Sequence, residues 1–337
     1  MRVLLLGGSG LLGQNVLCRL IEAGHQVTLL LREGAVDWAG GQKYTVIRGS
    51  LLDDRVLSRA AKGCQAIINC AGTTDMSLLH EDDYRLVNRD LCDRLVILME
   101  QEGIAIAVHV STANTIGYGD RTHPATEEYP MMAPFSDSYY AKTKREGEHY
   151  FQNAARKHPD WHVVILNPGF IVGAFDVKPS SGRLLNAAYR RAWMPIPPGG
   201  KSFVAAADVA AAAVNALTLG QSGHRYLTTG ENLSLRQFYA LQAQTCGYKQ
   251  RHLVLPRPLL LFVGVLGDLL RCLRIRTQVS TCNIRQLMVN EFYCSEKAQR
   301  ELQMPSTSVA RAISDYFEWR EKRYDLFDAR QPKGKSQ

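Results

Sequence analysis

What this sequence has little of narrows its function first. Its eight cysteines, Cys18, Cys64, Cys70, Cys92, Cys246, Cys272, Cys282 and Cys294, are irregularly spaced and include no C-x-x-C pair, which excludes a zinc ribbon or a dithiol redox motif. A chain of 337 residues needs no disulfide staples, so reduced, mostly buried thiols in a cytoplasmic protein are expected. His123, His149, His158 and His162 show no H-x-x-x-H or H-E-x-x-H spacing, and no metal is expected. Aromatic residues make up only 8% and are not interleaved with a basic stripe, which argues against a nucleic-acid partner. No apolar run reaches the roughly 20 residues a bilayer span requires. The longest, Leu259 to Leu270, is interrupted by Asp268 and lies between Pro256-Arg257-Pro258 and Arg271, Arg274 and Arg276. Two readings of it stand: a buried or pocket-lining helix, or an interfacial helix held in peripheral membrane contact by its flanking arginines.

Acid is scarce as well, with 32 Asp and Glu against 40 Lys and Arg and a net charge of +8. The excess is scattered, apart from a tail at 327–337 with Lys333 and Lys335, read as flexible and basic, and it suits an anionic ligand. A content of 46% hydrophobic and 21% charged residues excludes disorder and allows a large core.

Short apolar runs alternate with amphipathic ones through the first half. Strands are expected at Arg2 to Leu6, Gln26 to Leu31, Tyr44 to Ile47, Ala66 to Asn69, Ile104 to Ser111 and His162 to Leu166. The first helix should end at Ala23-Gly24, and longer helices cover Asp83 to Gln101 and Ser138 to Lys157. Although Met1 to Gly13 begins like a leader, its apolar run stops at Gly7-Gly8 with no cleavage pattern, so it reads as a strand. The alternation predicts an α/β fold, a Rossmann-like doubly wound parallel sheet that binds ligands at the carboxyl ends of its strands. Past Phe175 the pattern loosens. Lys178 to Pro198 is rich in Pro, Gly and Arg; Ala207 to Leu219 reads as a helix capped by Asp208 or a neighbour, His224 to Thr228 as a strand, and Glu231 to Trp319 as mainly helical. The expected division is a dinucleotide-binding domain at 1–175, rejoined by 205–230, with a smaller, mainly helical substrate-binding lobe at 176–204 and 231–326.

Gly7, Gly10 and Gly13 stand at G-x-x-G-x-x-G spacing between the first strand and its helix, around Ser9, Leu11 and Leu12. There they allow a tight turn, close approach of a pyrophosphate and close packing of helix on strand. The second strand ends in Arg32 with no acid at its last position, which favours NADP(H), with NAD(H) the alternative. Tyr140 and Lys144 form Y-x-x-x-K, placing phenol and ammonium on one helix face, where a cation would lower the phenol pKa for acid-base work. Ser111 and Thr112 end the fifth strand where a substrate carbonyl could be held, and Asn88 could anchor a water or the lysine. Cys70, Ala71 and Gly72 follow Asn69 beside the cofactor path, and Leu52 and Asp53, after the third strand, are further cofactor candidates. His109 is read as a core or edge residue.

Together these motifs resemble the extended short-chain dehydrogenase/reductase superfamily, also called the NAD-dependent epimerase/dehydratase family. The glycines, Asn69 to Gly72, Asn88, Ser111-Thr112, Tyr140/Lys144 and the Asn167-Pro168-Gly169 turn match its pattern over nearly the whole chain. Val163 to Leu185, Ala206 to Ala210 and Tyr226 to Leu235 look most like the branch holding dihydroflavonol reductases, 3β-hydroxysteroid dehydrogenases and hopanoid-associated sugar epimerases. The resemblance implies that Pro168 and Gly169 flank a nicotinamide, and that the helices of Asn88 and Tyr140 form a homodimer interface. It also implies that the catalytic hydroxyl is Thr112 or its neighbour Ser111. Ser50 replaces an acid that often contacts adenine, and Ala113-Asn114-Thr115 stands where the family's dehydratases carry an Asp-Glu pair, which disfavours water elimination.

The leading expectation is NADP(H)-dependent reduction of a carbonyl, or oxidation of the alcohol, on a small lipophilic or ring substrate suited to Leu259 to Leu270 and Trp193 to Pro198. The runner-up is nucleotide-sugar epimerisation with a retained cofactor, for which Arg183, Arg190, Arg191 and Lys201 could hold a diphosphate. A binding module without turnover is the third, opposed by the presence of both Tyr140 and Lys144.

Overall fold

The computed structural model describes residues 1–35, 43–177 and 181–328, with side chains described as far as 322. Lys178, Lys333, Lys335 and the expected tail from 329 onward lie outside the described residues. Strands β1 (Arg2–Leu6), β2 (Gln26–Leu31), β3 (Tyr44–Arg48), β4 (Ala66–Asn69), β5 (Ile106–Val110) and β6 (His162–Pro168) alternate with helices α1 (Leu11–Glu22), α2 (Asp54–Ala61), α3 (Glu81–Arg85), α4 (Leu91–Glu102) and α5 (Tyr139–Lys157). Then follow β7 (Phe170–Val172), α6 (Gly182–Ala188), β8 (Trp193–Ile196), β9 (Gly200–Ala205), α7 (Ala206–Asn215), β10 (Arg225–Thr228), β11 (Glu231–Ser234) and α8 (Leu235–Thr245). The chain finishes with β12 (Arg251–Val254), α9 (Arg257–Cys272), α10 (Thr281–Gln286), β13 (Asn290–Glu291), α11 (Glu296–Glu301) and α12 (Val309–Asp328).

A seven-stranded sheet in the order β10-β6-β5-β4-β1-β2-β3 is parallel throughout. Its strands are apolar on both faces because both are covered, as parallel sheets require. One face packs Leu5, Val27 and Val164 against Val16 and Leu20 of α1 and Val209 and Ala213 of α7. The other packs Leu4, Ile67 and Ala107 against Leu95 and Met99 of α4 and Phe151 of α5. Register places Leu6 beside Asn69, Asn69 beside His109 and His109 beside Ile165, so the strands carrying the predicted motifs end in one row.

The polypeptide leaves this sheet at Gly169, where a side chain would strike the Ser202 carbonyl at 2.4 Å. β7 then joins β9, and β9 pairs with β11 and β13 in a second, four-stranded sheet, while β8 pairs with β12. The C-terminal region is mainly helical as expected, but β11, β12 and β13 run for only four, four and two residues. Segments that short carry no readable alternation. Asp208 does not cap α7: Ala205 occupies the N-cap, and the Asp208 carboxylate accepts from the Thr307 amide and hydroxyl, each at 2.7 Å, tying α7 to the approach of α12.

The sharpest steric constraint lies between β1 and α1. Gly7 has φ of +75°, and a Cβ on Gly13 would lie 2.2 Å from the Gly7 carbonyl oxygen and 2.7 Å from the Gly8 Cα. Both obstacles are backbone, so neither can rotate away. Gly13→Ala should therefore destabilise the protein by about 2–3 kcal/mol in urea unfolding, at the upper end of overpacking costs; an unchanged midpoint would show that α1 can shift freely.

Candidate active site

The N-terminus of α1 faces the carboxyl edge of the sheet. Gly10 is its N-cap and supplies no side chain to the first turn, so the amides there are left for a ligand. Gln14, fully buried one turn on, donates to the Gly8 carbonyl and holds the glycine turn in shape, with Ser9 half-buried in it. A side chain on Gly7 would collide with Cys70 and Ala71, so the glycine turn and the end of β4 touch through backbone alone. An uncapped helix N-terminus beside a glycine-rich turn fits a dinucleotide pyrophosphate. Leu11 and Leu12 open the helix, Leu12 turning into the core.

Tyr140 and Lys144 lie in the first turns of α5, half-buried and buried respectively. The Lys144 ammonium donates to the Val110 carbonyl at 2.7 Å, at the end of β5. Burial lowers its pKa, opposed by nearby Cys92, Glu148 and Cys70. Burial pushes those two thiols up to about 12. Burial also raises the Tyr140 phenol, and a hydrogen bond with the Thr112 side chain pulls it back. The phenol stays raised overall, and the lowering expected from Lys144 is not found, its ammonium being engaged with the strand end.

Ser111 and Thr112, the two candidate hydroxyls, meet different partners. Ser111 donates to the buried Glu148 carboxylate, which also accepts from Thr115 at 2.6 Å and from Asn167 at 2.7 Å. The Thr112 hydroxyl accepts from the Asn114 amide at 3.3 Å and lowers the Tyr140 phenol pKa, and the Thr112 carbonyl accepts from Asn167 at 3.1 Å. Sequence reasoning missed Glu148. The signal was available, since Tyr140, Lys144 and Glu148 are spaced i, i+4, i+8 on one face of a helix.

Asn88 sits in a π-helical turn, Leu86–Asp90, that interrupts the long helix expected at Asp83 to Gln101. The turn aims Asn88 sideways: it accepts from the Thr73 amide at 2.8 Å and donates to the Thr73 carbonyl and the Thr143 hydroxyl at 3.1 and 3.3 Å. Asn88 therefore clamps the loop after β4, and Gly72 in that loop lies against both Asn88 and the Lys144 ammonium. His109 is a core residue, buried, stacked on Phe151 at 4.7 Å and paired with Asn69 at 3.2 Å; burial holds it well below the ordinary histidine range and neutral.

Other predicted residues stand further along the sheet edge. Arg32 is exposed directly after β2. Asp53 caps α2, accepting from the Arg55 amide at 3.0 Å, and the Leu52 carbonyl accepts from Arg94 at 3.0 Å. Pro168 and Gly169 close β6 beside Thr228 and Thr229. A cavity of about 220 Å³ opens at Tyr140, lined by Met76, Leu79, Tyr84, Asp137 to Tyr139, Ser280, Cys282 and Asn283, and by Asp268 and Arg271 of α9. The apolar side chains of Leu259 to Leu270 do not line it. Gly264 and Gly267 press against Thr281 and Val279, and the positions of that helix that reach the cavity are the polar Asp268 and Arg271.

Comparison with known proteins identifies the family and the fold. Sterol demethylase protein B of Methylococcus capsulatus is 29% identical over 329 residues, covering 95% of this chain and 98% of that protein. A Synechocystis protein provisionally named dihydroflavonol 4-reductase is 27% identical over 330 residues, covering 93% and 92%. In fold, the crystal structure of gox2253 matches with a TM-score of 0.81 at 24% identity, over 95% of this chain and 98% of that one. Residues 3–227 match the NAD dependent epimerase/dehydratase family, and the match spans the glycine turn, the Thr112, Tyr140 and Lys144 cluster and every strand of the parallel sheet. The chain is therefore a member of the NAD-dependent epimerase/dehydratase family and an NAD(P)-dependent enzyme of the extended short-chain dehydrogenase/reductase type.

Proposed function

We propose that this protein reduces the carbonyl of a lipophilic ring substrate, or oxidises the corresponding alcohol, with NADP(H). The observation that carries the reading is Tyr140 at the wall of the 220 Å³ cavity, one helical turn before Lys144, which is held at the end of β5 by the Val110 carbonyl. When bound, the reduced nicotinamide supplies the hydride. Tyr140 gives its proton to the carbonyl oxygen, and Thr112 orients that oxygen and polarises it. Lys144, fixed by the Val110 carbonyl, places positive charge close to Gly72 and Asn88 and would hold the cofactor ribose when the cofactor is bound. Ser111 does no chemistry; it holds the strand end in place through Glu148.

The cavity is of mixed character: Met76, Leu79, Tyr84 and Tyr139 offer apolar and aromatic surface suited to a ring, beside polar Asp137, Ser138, Asp268, Arg271, Ser280 and Asn283. The name of the Methylococcus relative points to sterol chemistry, in keeping with such a substrate. Sugar-nucleotide epimerisation would need cations for the diphosphate. Of the candidates, Lys201 is committed to an ion pair with Glu291, and Arg190 lies 5.1 Å over the Tyr189 ring. The exposed Arg32 supports NADP(H), because a cation there meets a 2′-phosphate and a carboxylate would meet a 2′-hydroxyl.

Two experiments test this reading. In stopped-flow assays against a panel of cyclic ketones, Tyr140→Phe should lower turnover by about 10²–10⁴-fold with NADPH affinity unchanged. Thr112→Ala should cost turnover while Ser111→Ala chiefly lowers the melting temperature; equal effects of the two on turnover would contradict the assignment. Arg32→Asp should raise the KM for NADPH by roughly tenfold and improve NADH, as expected for about 1.4 kcal/mol of lost charge pairing. An unchanged cofactor preference would remove Arg32 from the 2′-phosphate site.

A further inference from the structure

Helix α9 is apolar on the side turned to solvent and small or polar on the side turned to the protein. Its inward face is Leu260, Gly264, Gly267, Asp268 and Arg271: the two glycines pack on the 279–281 segment, and Asp268 accepts from the Thr281 amide at 3.1 Å. Arg271 donates to the Leu78 and Thr277 carbonyls at 2.6 and 2.9 Å. The opposite face carries Phe262, Leu266, Leu269 and Leu273 at 68, 50, 58 and 72% exposure, and Ile275 continues it at 49%. Lone exposed leucines are ordinary on a protein surface, but a continuous apolar face along one helix is not.

Charge decides what covers this face. From 251 to 276 the only acid is Asp268, which is turned inward, whereas Arg251, Arg257, Arg274 and Arg276 are exposed around the apolar centre. Next to α9, β12 pairs with β8, and the Arg251 guanidinium lies 5.2 Å over the half-exposed ring of Trp193. A second copy docking through the same face would bring two rings of arginine together, a like-charge juxtaposition that opposes such an interface. An anionic lipid surface satisfies both features, since phospholipid headgroups pair with the arginines while the acyl region takes the apolar side chains. Sixteen residues make α9 about 24 Å long, short of the roughly 30 Å hydrocarbon layer, so it would lie in the plane of the surface. Accordingly, no helix among the described residues is long and apolar enough to cross a membrane.

We infer that α9 docks the enzyme on an anionic phospholipid bilayer, with the cavity at Tyr140 immediately behind it. Asp268 and Arg271, on the inward face of the same helix, line that cavity, so docking places its mouth at the lipid surface and lets a lipophilic substrate enter from the bilayer. The delivery half of this inference rests on the reductase reading; the docking half does not.

The test is co-sedimentation of the full chain with vesicles of equal parts phosphatidylcholine and phosphatidylserine. Wild type should pellet with them and bind phosphatidylcholine vesicles at least roughly tenfold more weakly. Phe262→Ser/Leu269→Ser and, separately, Arg257→Gln/Arg274→Gln should each weaken binding by a similar factor while keeping the wild-type melting temperature by circular dichroism; all four side chains are exposed. Wild type that stays in the supernatant, or variants that pellet as well as wild type, would overturn the inference. So would a wild-type dimer in sedimentation equilibrium that Phe262→Ser/Leu269→Ser dissolves without any vesicle binding. If the protein binds vesicles as expected but reduces no ketone in solution or in vesicles, docking stands and the reductase reading falls.

Discussion

The Glu148 carboxylate, buried beneath the ends of β5 and β6, is the interaction on which the arrangement of the site depends. A carboxylate taken out of water is tolerated only when its lone pairs are satisfied, and Glu148 is met by Ser111, Thr115 and Asn167, with Arg225 at 4.0 Å. Ser111 and Thr115 follow β5, Asn167 lies near the end of β6 and Arg225 opens β10, while Glu148 belongs to α5. Once they are paired, α5 can neither rotate nor slide, and the helix positions one and two turns earlier are fixed with it. Lys144 then meets the Val110 carbonyl and Tyr140 meets Thr112. A group that touches no substrate thereby sets the geometry of those that would.

Close packing works to the same end from the other side. Gly147 of α5 admits the Asn88 carbonyl to within 2.2 Å of where a Cβ would stand, so α5 and the π-helical turn are in backbone contact. Asn88 in turn holds the loop after β4 through Thr73. Three separate segments, the β4 loop, the end of β5 and the start of α5, are thus locked around Lys144. Such support is what separates a site that is merely present from one held in working geometry.

Much of this was legible in the sequence, for identifiable reasons. The parallel sheet was readable because strands buried on both faces are nearly continuous apolar runs, and the expected strands Arg2 to Leu6 and Ala66 to Asn69 are the observed ones. Gly7 and Gly13 were readable because backbone contact leaves glycine no substitute. The second sheet was not, because its short strands gain stability from β9 and β7, which are distant in sequence. The adjacent hydroxyls Ser111 and Thr112 are indistinguishable by composition, and only the position of Glu148 across the fold separates them. For α9, apolar content was plain but orientation was not. Gly264 and Gly267 mark the buried side, so its large side chains face out and its polar ones border the cavity.

The central claim is a net transfer of hydride to a carbonyl carbon with a proton from Tyr140, and isotope transfer tests it most directly. With NADPH deuterated at the transferring position and a cyclic ketone that the enzyme accepts, mass spectrometry should find one deuterium on the carbinol carbon of each alcohol formed, with one NADPH consumed per product. Isomerised substrate with no net NADPH consumption and no deuterium gained would contradict the account and assign the site to epimerisation.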